Sequence, residues 1–169
     1  MKQSTLTTEI RKTRASDVPA LVQMWHEFSR EHERMVVKKT KAFRSFYARK
    51  ADVLETVNRF FRKNVRSRNW AVFIAESCGR PAGYLSITIK KNPPVYRIDR
   101  IGYIDSIFIR KPYRNSGLSS VFKGAAVEWF RRKGLSHMSI NVAPENAHAY
   151  SIYKKWGFLD FHTELRAKI

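Results

Sequence analysis

A mixed α+β domain is the fold class that this sequence predicts. Apolar residues recur at helical spacing in four stretches. Two further runs, Trp70 to Glu76 and Ala82 to Ile89, are rich in β-branched and aromatic residues about a tight turn. No linker, repeat or low-complexity tract divides the 169 residues, and a hydrophobic content of 43% over that length suffices for one sizeable core. The whole chain, 1–169, therefore reads as a single domain with its core at about 9–165.

In chain order, Glu9 to Arg14 is a short strand. Ser16 or Asp17 is placed to cap a helix entered through Pro19, with Val18, Leu21, Val22, Trp25 and Phe28 on its apolar face. Residues 30–50 are basic and weakly periodic, so helix extension, substrate loop and mobile lid all remain open there. Asp52 is placed to cap a second helix whose buried stripe is Val53, Val57, Phe60 and Phe61. The two β-type runs form an antiparallel hairpin about Ser77-Cys78-Gly79-Arg80-Pro81. Lys90 to Arg97, with Pro93-Pro94, is a surface loop.

A third strand, Ile104 to Ile109, leads through Pro112 and Asn115-Ser116-Gly117 into a helix. Leu118, Val121, Phe122, Ala125, Trp129 and Phe130 keep its period as far as the Gly134 stop. Met138 to Val142 is a strand broken by Ala143-Pro144. Asn146 opens a helix ended by Gly157, and Phe158 to Leu165 is the last strand.

The turn between Ile109 and Ser120 is a plausible anion cradle. The first turn of a helix has N–H groups without intrahelical partners, and its peptide dipoles sum to partial positive charge. Gly117 permits close backbone approach, while Arg110, Lys111 and Arg114 add full charges. A plain solvated connection is the competing reading. The chain contains neither G-x-x-x-x-G-K-[ST] nor G-x-G-x-x-G, which removes the commonest nucleotide loops.

Other chemistries are poorly supported. The single Cys78 excludes an intramolecular disulfide framework and argues against a cysteine-based zinc site. His26, His32, His137, His148 and His162 form no H-E-x-x-H pattern, and no G-x-S-x-G elbow is present, so neither a metal nor a covalent nucleophile is expected. His26 and His32 read as surface residues of the first helix, and His148 as solvent-facing. The first residues lack an apolar signal-peptide core and no run of about 18 apolar residues occurs, so a cytoplasmic protein without membrane insertion is the expectation.

Two motifs carry a resemblance. Arg114-Asn115-Ser116-Gly117-Leu118-Ser119 resembles the acyl-CoA pyrophosphate loop of the GNAT N-acetyltransferase superfamily, [QR]-x-x-G-x-[GA], with Ser119 at the last small position. The stretch from Asn146 to Phe158 resembles the family's N-x-x-A-x-x-x-Y-x-x-x-G-F signature, through Asn146, Ala149, Tyr153, Gly157 and Phe158. The resemblance covers roughly Glu9 to Leu165. It implies a GNAT-like acyltransferase fold: a central, mostly antiparallel twisted sheet, flanked by helices and splayed at an acyl-CoA cleft between the strand ending near Ile109 and the strand Met138 to Val142.

What the resemblance implies further is acetyl transfer from acetyl-CoA to a primary amine by direct attack in a ternary complex. Pantetheine contacts fall on the backbone of Ile107, Phe108 and Ile109, and on Asn141 across the cleft. The diphosphate falls on Arg114, Asn115, Ser116, Gly117, Leu118, Ser119 and Ser120, and Asn146 matches the family's coenzyme-binding Asn. An ammonium must lose a proton before it attacks, and Asp105 is the first candidate for that role or for orienting the cation. Tyr153 matches the family tyrosine that contacts the coenzyme and protonates the departing thiolate.

Charge is the unusual feature. Thirty-three Lys+Arg against 14 Asp+Glu give a formal +19, which attracts polyanions. Residues 29–68 hold 13 basic and 4 acidic residues, interleaved with Phe43, Phe46, Tyr47, Phe60 and Phe61. Those rings are core residues or, less commonly, stacking surfaces for bases. The acceptor stays open among a small amine, an amino acid, an antibiotic amine and an amine on protein or aminoacyl-RNA, and this field suits an amine borne on an acidic protein or linked to RNA better than a free polycation. Two readings from other classes stand beside the enzyme: a silent acyl-CoA sensor, and a nucleic-acid-binding module engaging Lys38, Lys39 and Lys41. A homodimer is the family-based expectation.

Overall fold

The computed structural model describes residues 8–169. Its elements are β1 (Thr8–Lys12), α1 (Val18–Lys39), α2 (Val53–Asn64), β2 (Trp70–Ser77), β3 (Arg80–Lys91), β4 (Arg100–Ile109), α3 (Leu118–Arg132), β5 (Met138–Ile140) and α4 (Ala147–Lys155). The strands form one sheet in the order β1-β2-β3-β4-β5. The first three pairings are antiparallel and the last, β4 with β5, is parallel. A parallel pair needs a crossover, and α3 supplies it. Among the described residues no helix is long and apolar enough to cross a membrane.

Both faces of the sheet are covered, because successive side chains on a strand point to opposite sides. On one face Val72 and Ile74 of β2, with Tyr84 and Phe108, pack against Val18, Leu21 and Met24 of α1 and Val57 and Phe61 of α2. On the other, Ala71 and Ala75 of the same strand, with Leu85, Ile87 and Ile104, pack against Phe122, Ala126, Trp129 and Phe130 of α3. The β2–β3 hairpin turns through Cys78 and Gly79 alone, both with positive φ (50° and 70°), the arrangement that matches strand twist.

Several sequence-based expectations need correction. Of the three readings for residues 30–50, helix extension is the one realised as far as Lys39. A 3₁₀ segment, Lys41–Tyr47, follows, and beyond it Arg49 binds Glu33 at 2.6 Å and the Ser29 carbonyl at 3.0 Å. Asp17 stands at the start of α1 but makes no side-chain cap. Its carboxylate is taken by the Arg11 guanidinium (2.7 and 2.9 Å) and the Arg14 N–H (2.6 Å). Asp52 precedes α2 in the same uncapped way, accepting instead from the Thr56 hydroxyl at 3.3 Å.

The strand predicted from Ile104, which is β4, begins at Arg100, and β5 stops at Ile140 rather than Val142. The last predicted strand, Phe158 to Leu165, does not form. Asp160 is instead held to α4 by the Tyr150 hydroxyl (3.0 Å) and Lys154 Nζ (3.2 Å). Alternating apolarity without a partner edge makes no ladder.

Candidate active site

Parallel pairing of β4 with β5 covers only Gly102 with Met138, Tyr103 with Ser139 and Ile104 with Ile140. Beyond those pairs the strands part, and the β5-facing edge of residues 105–109 has no strand neighbour among the described residues. The divergence begins at a bulge. Ser106 pairs with Ser86 and Ile104 with Ile87, so Asp105 is an extra residue in β4. Bulges re-aim side chains and end pairing, and here both effects fall on the one carboxylate that the sequence nominates.

A cavity of about 120 Å³ occupies the vertex. β4 contributes Asp105, Ser106 and Ile107, and the opposite wall comes from Asn141, Asn146 and Tyr153. α1 closes it with Phe28 and His32. The predicted catalytic pair and three predicted coenzyme residues, Ile107, Asn141 and Asn146, thus line one space. His32, read from sequence as a surface residue, belongs to the same space, as does Phe28. The signal for His32 was its four-residue spacing from Phe28 on the apolar face.

The electrostatics of this space are set by burial. Asp105 is open to the cleft, but the protein around its carboxyl withdraws water and raises its pKa, opposed by hydrogen bonding from Ser106 and Ser86 and by the charge of Lys90. Ser86 is itself held by the indole N–H of Trp70 at 2.8 Å. The Tyr153 phenol is pushed up to about 12 by burial. Burial pushes the His32 imidazole below its ordinary value, against the pull of Glu145. The Phe28, His32 and Tyr47 rings follow one another at 5.9 and 5.7 Å, lining the side of α1 next to the cavity.

At the far end of the cleft lies the predicted anion cradle. Gly117 has φ +81° and precedes α3, a conformation that other residues adopt only with strain. The backbone N–H groups of 115–119 donate to no acceptor among the described residues. They are the orphan donors that a phosphate oxygen would satisfy. Arg114 stands differently from expectation: its guanidinium donates to the Ile109 carbonyl (2.9 Å) and to Glu31 (2.6 Å). Arg110 binds Glu27 in parallel, at 2.8 and 2.9 Å. Two acids one turn apart on α1 thereby clip that helix to the turn.

Asn146 caps α4, its side-chain oxygen accepting from Ala149 N at 3.1 Å, so the ordinary cap and the cavity position coincide. His148 is exposed. Among the described residues no group of three or more His, Cys, Asp or Glu is arranged to hold a metal ion.

The sequence profile of the acetyltransferase (GNAT) family matches residues 21–158, which contain the splayed strands, the turn and both motifs. The chain belongs to that family. No curated protein sequence matches it. Among solved structures it is similar to the aminoglycoside N-acetyltransferase AAC(6')-Iy in complex with CoA, with a TM-score of 0.75 and 15% identity over 96% of this chain and 95% of that one. A predicted acetyltransferase with acetyl-CoA from Clostridium acetobutylicum aligns at a TM-score of 0.72 and 18% identity, covering 96% of each chain. The tetramutant of BH1408 from Bacillus halodurans aligns at 0.78 and 13%, covering 95% of this chain and 99% of that one. At such identities the likeness is one of fold.

Proposed function

We propose that this member of the GNAT family transfers an acetyl group from acetyl-CoA to a primary amine by direct attack, with Asp105 as proton acceptor and Tyr153 as proton donor. The observation that carries the reading is the bulge at Asp105, which opens β4 from β5 and puts that carboxylate in one cavity with Tyr153. The residues fit the coenzyme. An open strand edge at Ile107, Phe108 and Ile109 suits the pantetheine amides, and the orphan amides of the turn suit a diphosphate. Acetyl-CoA supplies an activated thioester carbonyl. The protein supplies placement and proton transfer.

Asp105 accepts the proton that the ammonium must lose, directly or through one water, and its raised pKa makes it a better base than an ordinary carboxylate. Tyr153, held protonated by burial, keeps its phenolic hydrogen available for the departing sulfur. Asn141 and Asn146 line the same wall and orient the coenzyme arm. Arg114 reaches the diphosphate only by leaving Glu31, so coenzyme binding would loosen one half of the clip on α1.

The acceptor belongs to the proposal as well. Near the cavity the acids are Asp105 and Glu145, while the chain as a whole carries +19. That balance favours an amine with a single cation, or one carried by an acidic protein or by RNA, over a free polycation. The test is calorimetric titration with acetyl-CoA of the wild type and of Gly117→Glu, followed by an acceptor screen containing aminoglycosides, amino acids, acidic peptides and aminoacyl-RNA. Saturable binding lost in the variant, with transfer to at least one amine, is the expected result. A folded wild type that binds no acetyl-CoA overturns the reading.

A further inference from the structure

The strongest feature outside the cleft lies at the other end of β4. Asn69, in the loop after α2, accepts from Ile89 N (3.0 Å) and from the Thr88 hydroxyl (2.9 Å), which ties that loop to the end of β3. The β3–β4 loop leaves from the same place. Arg62, Lys63, Arg66 and Arg68 come from the first segment, and Lys91, Arg97 and Arg100 from the second; all are exposed. None has a carboxylate partner among the described residues, although most acids of the chain are spent in ion pairs elsewhere. Asp99 is the one acid in the loop.

The loop is also built to present apolar side chains. Asn92 closes its base, its N–H donating to the Asp99 carbonyl at 2.7 Å and its side-chain amide to the Ile98 carbonyl at 3.0 Å. Val95 and Tyr96 then stand out at 81% and 56% exposure, between the cations. By contrast, two of the aromatics that the sequence interleaves with charge in α2 are not surface platforms: Phe61 is buried and Phe60 packs edge-on against Trp70. Of the expected lysines, Lys39 is spent on the Glu145 carbonyl at 3.3 Å.

We propose that this end of the sheet, from Arg62–Arg68 across to the Pro93–Arg100 loop, binds a single-stranded polynucleotide, with the cations that lack a carboxylate on its phosphates and Tyr96 stacked on a base. Arginine predominates, and its planar fork matches phosphate oxygens in pairs. An exposed ring among guanidiniums is the combination by which single strands are held without reading sequence. An acidic protein would find the cations but would have no use for the ring as a stacking surface. None of the named residues of this surface lines the cavity at Asp105, and the proposal does not depend on the catalytic reading.

The test is fluorescence anisotropy of a labelled oligouridine and a labelled oligothymidine of about 20 nucleotides. It uses nucleic-acid-free protein over a salt series, with polyglutamate as competitor. The triple reversal Arg66→Glu, Arg68→Glu, Arg97→Glu is expected to lower the log–log salt slope by about 2, at about 0.7 per lost phosphate contact. Tyr96→Ala is expected to weaken binding about tenfold at every salt concentration with the slope unchanged. Circular dichroism melts show that both variants remain folded. Displacement by polyglutamate as effective as by unlabelled strand, Tyr96→Ala binding as wild type, or an unchanged slope in the triple variant each overturns the proposal.

Discussion

The two halves of β4 share one strand and have different tasks. From Gly102 to Ile104 the strand is paired on both sides, to β3 and to β5. Gly102 lies so close to α3 that an added Cβ would stand 2.7 Å from the Phe130 ring. Asp105 has no partner in either neighbour, and from Ser106 to Ile109 the same strand keeps β3 but has lost β5, and the freed edge faces the cleft. One inserted residue separates the halves. The first half answers to packing, and substitutions there should cost stability. The second has backbone groups left over, and substitutions there should cost activity.

The largest expected effect is on that second half and on the residue facing it. Asp105→Asn and Tyr153→Phe should each lower kcat/KM about 10²- to 10⁴-fold, the usual contribution of a positioned acid or base, with little change in Tm. The pH dependence separates them. Because the Asp105 pKa is raised above its ordinary 3.8, the acidic limb of kcat/KM should lie above that value and vanish in Asp105→Asn. Linkage carries the same sign: a carboxyl whose folded pKa exceeds its unfolded one loses stability as pH rises through that window, so Asp105→Asn should melt slightly higher near neutrality. The Tyr153 phenol, at about 12, should contribute no alkaline limb below that. An acidic limb that survives in Asp105→Asn would hand the base role to His32, whose imidazole lines the same cavity.

The next effect tests the paired half. Gly102→Val should destabilise by about 1–3 kcal/mol through overpacking against Phe130. For a chain of this size that is about 2–4 °C in Tm per kcal/mol. Acetyl-CoA affinity measured well below the melt should be unchanged. If affinity and Tm fall together, the two halves of β4 are not separable and the comparison fails.

Arg114→Glu is smaller. The substitution brings a negative charge to the turn and to Glu31, and acetyl-CoA should bind about tenfold more weakly, about 1.4 kcal/mol. The loss should shrink with added salt, because the Arg114 and Glu31 side chains are 40% and 30% exposed. Wild-type affinity in this variant would remove Arg114 from the diphosphate site and leave it as a fastener of α1.

The fold and the cleft were unequally legible in sequence. Local periodicity carried the helices and the hairpin, and two short motifs carried the turn and α4, because each is a property of neighbouring residues. The bulge was not legible: the family resemblance nominates Asp105, but that it is the extra residue of β4 depends on which residue of β3 each residue of β4 meets, and shows only once Ser86 and Ile87 are paired. His32 was missed for the same reason, since its helix face is chosen by the packing of α1 on Phe108 and Tyr84. The pairing of Arg114 with Glu31 has no local signal either, because Glu31 lies 83 residues away in the chain.

The smallest expected effect concerns the segment read as a final strand. Leu159, Phe161 and Leu165 alternate as a strand's apolar face does, yet they stand 84%, 89% and 89% exposed. A side chain that buries almost nothing has almost no transfer free energy to lose, so Phe161→Ser should change stability by less than about 0.5 kcal/mol. Phe122→Ala, at a fully buried position against the sheet, should cost about 3–5 kcal/mol. Chemical denaturation of both variants at two protein concentrations checks the pair. A cost at Phe161 approaching that at Phe122 would mean the tail is covered in solution. Dependence on concentration would then assign the cover to a second copy of the chain, and independence would assign it to the open edge of its own β5.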